Sequence, residues 1–202
     1  NCTSLCLKVH GQEAVPHLLE VIAGDDTARW RVATGLSAKK INKHGFGSYL
    51  AADYDELADC PVEMGDFWDS QFKAGGITHR VVVAGAAESF DGARLTADMQ
   101  KICEAGIRFW HGARNAGGRA RNRPPHGDYL FMLNVVDDGY GGLEHRNSTA
   151  LIASRRDLPR LGEARAGDGY TTLMGLISHE YFHTWNVKQL RPAEFTRYDY
   201  AK

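Results

Sequence analysis

The segment His179-Glu180-Tyr181-Phe182-His183 combines two histidines four residues apart with a carboxylate beside the first. Positions i and i+4 of an α-helix lie on one face about one turn apart, so both imidazoles can direct a ring nitrogen at a single ion. Glu180 is rotated by about 100° and can reach a water on that ion without being a ligand. Zinc lowers the pKa of such a water, and a carboxylate can then take its proton. The spacing predicts His179 and His183 as zinc ligands and Glu180 as the catalytic base.

The alternative is a pair of surface histidines on an amphipathic helix. Residues 171–177 before the motif and Trp185 after it are mostly apolar or small, which indicates a largely buried helix. A buried cluster of imidazole and carboxylate groups needs partners, and a metal ion supplies them. A catalytic zinc site usually has three protein ligands. The acidic residues after His183 are Glu194 and Asp199, and neither lies on a predicted helix that faces the motif, so no third ligand is evident.

The surrounding elements are predicted to mix helices and strands. The motif helix is predicted from Gly169 to Gln189, and a second helix from Leu95 to Trp110, where apolar residues repeat at spacings of three and four. Extended segments are predicted at 78–85, 128–136 and 143–154. Before residue 60 the chain is mostly β, with strands at 3–9 and 29–33, a strand or short helix at 16–22, and an exposed or edge strand within 45–51. The fold class is therefore α+β.

An acidic stretch that contains proline and glycine, residues 53–65, is the best candidate for a domain boundary. We expect one domain at 1–62 and a second at 63–202. The chain starts with Asn1 inside an alternating pattern and stops at Lys202 without a terminating signal. We therefore expect it to be a piece of a longer protein.

The composition excludes several classes of partner. Apolar residues make up 43% of the chain, charged residues 24%, and the net charge is -1, so we expect no binding to nucleic acid or to a membrane surface. No apolar run reaches the length of a membrane span, and no signal peptide is visible. The four cysteines form no C-x-x-C pair and are interpreted as thiols in a reducing compartment, so a cytoplasmic location is favoured.

The run from His179 to Pro192, with its Trp-Asn-Val-Lys segment, resembles the zinc-site motif of the glycyl aminopeptidase family of zinc metallopeptidases. Residues 53–65 and 139–149 resemble two further motifs of that family in the same order. The resemblance implies a gluzincin with a thermolysin-like catalytic domain. Residues 1–62 would be the C-terminal part of an N-terminal β-domain, and 63–202 the N-terminal half of the catalytic domain.

The same resemblance implies further parts of a parent protein. Family members continue into a helix whose glutamate is the third zinc ligand, then into a helical region and usually a PDZ-like domain. The third ligand is therefore expected beyond residue 202, and the remainder of the parent chain is an expected partner. By itself the piece is expected to be inactive or nearly so and to bind zinc weakly.

The segment Gly141-Gly142-Leu143-Glu144-His145 is similar to the G-x-M-E-N motif of related aminopeptidases. There the glutamate binds the free α-amino group of the substrate, and the glycines bring the backbone close to the peptide. The similarity implies substrate binding by Gly141, Gly142 and Glu144, with Leu143 in place of Met and His145 in place of Asn. The alternative is an exposed pair, Glu144 and His145, at a strand edge.

These observations predict part of a zinc aminopeptidase that removes N-terminal residues from peptides with a free N-terminus. The resemblance favours glycine or alanine as the residue removed. One alternative is a non-catalytic peptide-binding or scaffold module that retains the metallopeptidase fold. Another is an endopeptidase.

Overall fold

The computed structural model describes residues 5–112, 124–165 and 167–195. They belong to two compact units. The first contains the chain up to Phe67 and returns at Pro192, and the second is Trp68–Arg191. The predicted domain boundary lies at 62/63, five residues before the position where the two units divide.

The first unit is built mainly from short strands, in agreement with its alternating sequence. Strands β1 (His17–Val21), β4 (Gly47–Ala51) and β3 (Ser37–Ile41) form one antiparallel sheet in that order, and β2 (Arg31–Thr34) pairs with β5 (Val62–Gly65). The acidic stretch contains helix α1 (Tyr54–Asp59), which begins where the Asp53 carboxylate accepts a hydrogen bond from the Glu56 amide.

Two predictions for the first unit are wrong. Strand β4 lies between β1 and β3 rather than at an edge, because its alternating residues Tyr49 and Ala51 are buried and its backbone is paired on both sides. A strand was predicted at 3–9, but residues 5–9 form none, and residues 3–4 lie outside the described residues. A strand needs a neighbour for its backbone groups, and alternation by itself does not provide one.

The second unit contains a five-stranded sheet in the order β6 (Phe67–Ala74), β7 (Ile77–Ala84), β8 (Asp128–Val136), β10 (Ser148–Ser154), β9 (Tyr140–Glu144). Strand β8 is central and runs parallel to both β7 and β10, which explains its long apolar sequence. Strand β9 is antiparallel to β10 and forms one edge of the sheet. The turn between β6 and β7 uses Gly75 and Gly76 with φ of 59° and 85°, the left-handed values that a two-residue hairpin needs.

Two helices accompany this sheet. Helix α2 (Gly92–His111) begins at Asp91, whose carboxylate accepts from the Arg94 amide, and it buries the stripe Leu95, Met99 and Cys103. Helix α3 (Asp168–Phe182) packs against α2, β9 and β10. The two helices are also joined where the Tyr170 hydroxyl donates to Asp98 Oδ2 at 2.9 Å. The predicted α+β class is confirmed.

Helix α3 ends earlier than the apolar pattern predicts. It stops at Phe182, and hydrogen-bonded turns continue to Leu190. Short 3-10 turns lie at Arg155–Asp157 and Ala193–Phe195. Most of the predicted loop at 114–125 lies outside the described residues. Within the described ranges, no helix has the length and apolar character needed to cross a membrane.

Candidate metal centre

The last turn of α3 brings the two motif histidines together. His179 Nε2 and His183 Nε2 are 3.0 Å apart, and the two rings are nearly perpendicular, with an interplanar angle of 85°. This is the result of an i, i+4 spacing on a regular helix. Two ligands that each lie about 2.0–2.1 Å from one zinc ion in tetrahedral geometry would be about 3.3 Å apart. The separation is therefore close to that of two ligands of one ion.

The tautomer of His183 is defined by the backbone that follows the helix. His183 Nδ1 lies 2.7 Å from the carbonyl oxygen of Asn186. Because a carbonyl oxygen only accepts, Nδ1 must carry the proton, and a neutral His183 then presents a bare lone pair at Nε2. A metal-binding histidine commonly donates its second ring N–H in this way.

Glu180 lies beside the histidine pair but is turned into the protein. Its side chain is 5% exposed, and its Oε2 atom is buried without a hydrogen-bond partner among the described residues. Burial raises the pKa of the Glu180 carboxyl; His179 and His183 oppose that shift, whereas Glu144 adds to it. A carboxylate whose pKa is raised is better matched to accept a proton near neutral pH.

The edge strand β9 approaches Glu180 so closely at Gly142 that a side chain there would meet the Glu180 carboxylate. A Cβ atom placed on Gly142 would lie 2.4 Å from Glu180 Oε1 and 2.5 Å from Glu180 Cδ. The neighbouring Gly141 has ordinary space, since a Cβ placed there would meet Ile152 Cγ2 at 3.7 Å. Because Gly142 has no side chain, the Glu180 carboxylate can occupy the space beside it.

Glu144 is two residues further along β9 and therefore on the same face of the strand as Gly142. Ligand atoms of Glu144, Glu180 and His183 all lie within 4.8 Å of one another. Lys188 Nζ lies 3.8 Å from Glu144 Oε1, and the side chains of this pair are only 12% and 20% exposed, Lys188 first. The predicted alternative of an exposed Glu144–His145 pair is wrong, because Glu144 is partly buried and His145 is buried.

Behind the motif, α3 is fixed to the sheet by a buried histidine. Tyr181 points away from the histidine pair and donates to His79 Nε2 at 2.9 Å, while His79 Nδ1 donates to the Ile77 carbonyl at 3.1 Å. Burial lowers the pKa of His79 to about 4 and that of the adjacent His126 to about 3. Both imidazoles are therefore neutral at physiological pH.

The residues predicted for the site from the sequence lie close together in the structure. Gly142 adjoins Glu180, and Gly141 is the next residue along β9. Two features were not predicted from the sequence. One is the pairing of Lys188, within the zinc-site motif, with Glu144. The other is the room that Gly142 leaves for the Glu180 carboxylate. No spacing signal in the sequence distinguishes His79 from the other histidines outside the motif.

The arrangement fits a bound metal ion. The two Nε2 atoms face each other at 3.0 Å, and two bare lone pairs at that distance repel unless a proton or a cation lies between them. Glu180 Oε2 is a buried oxygen that lacks a partner among the described residues. Imidazole nitrogen and carboxylate oxygen form a donor set that suits zinc and its neighbours in the first transition row.

Comparisons with known proteins found matches to two models of one peptidase family. The model of the M61 peptidase N-terminal domain matches residues 1–66, and the model of the M61 glycyl aminopeptidases matches residues 172–202. No curated protein matches the chain significantly.

Among solved structures, an aminopeptidase N family protein from Idiomarina loihiensis is 42% identical, with a TM-score of 0.90 over 100% of this chain. The chain spans 32% of the length of that protein. An M1 zinc metallopeptidase from Deinococcus radiodurans is 12% identical over 85% of this chain and 33% of its own, with a TM-score of 0.38. A likeness at that level has no bearing on this chain.

Proposed function

Both family models assign the chain to the M61 peptidases, and from that premise we propose that it forms part of a zinc aminopeptidase. His179 and His183 would hold the metal, Glu180 would be the base, and Glu144 would receive the substrate's amino terminus. The observation that carries the proposal is the convergence of His179 Nε2 and His183 Nε2 at 3.0 Å beside the buried Glu180.

A zinc ion held by His179 and His183 would supply Lewis acidity, which polarises a carbonyl and lowers the pKa of a water. Glu180 would accept the proton of the attacking water and pass it to the leaving amine. Burial supports that part because it raises the pKa of Glu180 and brings its affinity for a proton closer to what the reaction needs. Gly142 supports it because it has no side chain, which leaves room for the Glu180 carboxylate.

Glu144 would restrict cleavage to the first peptide bond by holding the substrate's amino terminus. A partly buried carboxylate forms a charge-assisted hydrogen bond with an α-ammonium group. Because an oxygen of Glu144 lies within 4.8 Å of ligand atoms of Glu180 and His183, an ammonium held there is close to the reacting carbonyl of the first residue. That distance favours removal of a single N-terminal residue and disfavours blocked peptides. By the family resemblance, we propose glycine and alanine as the residues removed.

The proposal is tested with the full-length protein that contains this chain. Its metal content is measured by elemental analysis, and hydrolysis of glycine and alanine anilides is followed before and after chelation and zinc addition. We expect bound zinc and hydrolysis that chelation abolishes and zinc restores. A zinc-loaded protein that hydrolyses neither anilide would contradict the proposal.

Variants separate the parts of the site. His183→Ala should lose metal, whereas Glu180→Gln should keep the metal and lose kcat by about a hundredfold or more. Glu144→Ala should keep the metal, raise KM and lower kcat for anilides with a free amino group, because the carboxylate both binds and positions that group. Loss of metal from Glu144→Ala would instead identify Glu144 as a ligand, which the 4.8 Å cluster also permits.

A further inference from the structure

We propose that Lys188 is a positioning residue that holds the Glu144 carboxylate in place for the substrate's α-ammonium group. The inference rests on the proposed function of Glu144. It adds a charged partner that neither the HExxH motif nor the glycine-rich segment predicts. The residue acts through Glu144 and does not touch the reacting atoms.

The burial of the pair is the first observation. The Lys188 side chain is 12% exposed and that of Glu144 20% exposed, with Lys188 Nζ 3.8 Å from Glu144 Oε1. Lysine is rarely so buried unless an opposite charge accompanies it. The pair therefore differs from an ordinary surface ion pair, which contributes little.

The backbone that carries Lys188 is itself fixed. The amides of Val187 and Lys188 both donate to the His183 carbonyl, at 3.2 and 3.1 Å. Those of Gln189 and Leu190 donate to the Trp185 carbonyl, at 3.0 and 2.8 Å. Trp185 is buried, and its indole N–H donates to His111 Nε2 at 2.8 Å. The turn after α3 is thus anchored on Trp185 and directs Lys188 towards β9.

The distance between the charges explains how Lys188 can hold Glu144 and leave it available. A separation of 3.8 Å is longer than a hydrogen bond, so the ammonium attracts the carboxylate without occupying a lone pair. Lys188 therefore leaves those lone pairs able to accept from a substrate ammonium. Lys188 also offsets the repulsion between the carboxylates of Glu144 and Glu180, which lie within the same 4.8 Å cluster.

Removal of the Lys188 charge has two opposing effects on binding. It frees Glu144 to adopt other rotamers, and it removes a like charge near the incoming α-ammonium. KM should therefore change little, while kcat falls because the substrate's amino terminus is no longer held at a fixed distance from Glu180. A misplacement of this kind lowers kcat by about tenfold or more.

The test uses Lys188→Met and Lys188→Arg in the zinc-loaded full-length protein, with alanine anilide as substrate. We expect Lys188→Met to lower kcat by about tenfold with KM within about threefold, and Lys188→Arg to retain most of kcat because it keeps the charge. In a Glu144→Gln background, Lys188→Met should lower kcat no further. Lys101→Met is the control, because Lys101 is 75% exposed where it pairs with Asp98, and its replacement should leave kcat unchanged.

A crystal structure of Lys188→Met gives a readout that does not depend on activity. We expect the Glu144 carboxylate to be displaced or spread over several rotamers, with His179 and His183 unmoved. An unmoved Glu144, an unchanged kcat, or an equal loss of kcat in the Glu144→Gln background would each overturn the inference. If the wild-type protein hydrolyses no anilide, the proposed function fails instead, and the position of Glu144 in the crystal structure decides the positioning role by itself.

Discussion

Gly142→Ala provides a sharp test of the candidate site, because the three atoms nearest the new Cβ all belong to the proposed base. The new Cβ would lie 2.4 Å from Glu180 Oε1 and 2.5 Å from both Cδ and Cγ, where ordinary contact begins at 3.4 Å. The Glu180 carboxylate must therefore move by about 1 Å, and such a misplacement of a catalytic group costs about a hundredfold in rate. This corresponds to about 3 kcal/mol of transition-state stabilisation.

The free energy of unfolding should change much less. The clashing atoms belong to a flexible side chain rather than to backbone, so Glu180 can swing away at a cost of about 1 kcal/mol, the low end for overpacking. Zinc content should be unaffected, because the three nearest atoms all belong to Glu180. We expect the loss to appear in kcat for alanine anilide, measured in the full-length protein beside thermal unfolding and metal analysis.

Gly141→Ala is the matched control, since its Cβ would meet only Ile152 Cγ2 at an ordinary 3.7 Å within the described structure. It should retain kcat within about threefold. A folded, zinc-loaded Gly142→Ala protein with wild-type kcat would refute the reasoning. Equal losses in both variants would show that the edge strand, and not the place of the carboxylate, is responsible.

Two further predictions concern the support behind α3. His79 titrates at about 4 in the folded chain and near 6.5 when unfolded, so the unfolded chain binds more protons between these values. The contribution of His79 to the free energy of unfolding should therefore be complete above pH 6.5 and fall by about 3 kcal/mol as the pH drops to 4. His79→Phe should remove that part of the pH dependence, measured by urea unfolding at several pH values. Equal pH dependence in the wild type and the variant would contradict the prediction. Tyr181→Phe leaves the buried His79 Nε2 without its donor and should cost about 1–3 kcal/mol in the same assay, whereas Tyr140→Phe, at an exposed tyrosine, should cost nothing measurable.

The local sequence was sufficient to predict how the side chains of the candidate metal centre lie relative to one another, because that arrangement depends on the helical period. His179, Glu180 and His183 are fixed relative to one another by one turn of helix, and no distant contact is needed. The place of Glu144 followed from family resemblance, not from spacing, because only the sheet brings β9 against α3.

The limits of helix α3 show why apolar pattern alone was insufficient. The turns from His183 to Leu190 bury Trp185 and reuse the carbonyls of His183 and Trp185 as acceptors. The sequence of these turns therefore resembles that of a continuing amphipathic helix, although the helix ends at Phe182. Lys188 was missed for the same reason, since a lysine at the end of a predicted helix is expected to be exposed.

The hydrogen bond that fixes the tautomer of His183 has a consequence for sequence variation. Its acceptor is the main-chain carbonyl of Asn186, whose own side chain is exposed. Because every amino acid supplies that carbonyl, substitutions at position 186 should leave the lone pair at His183 Nε2 intact. Proline is the exception, as the Asn186 amide donates to the Phe182 carbonyl at 3.3 Å and a proline has no such donor. The tautomer of His183 thus depends on the path of the backbone, and a screen of substitutions at position 186 should find almost all of them silent.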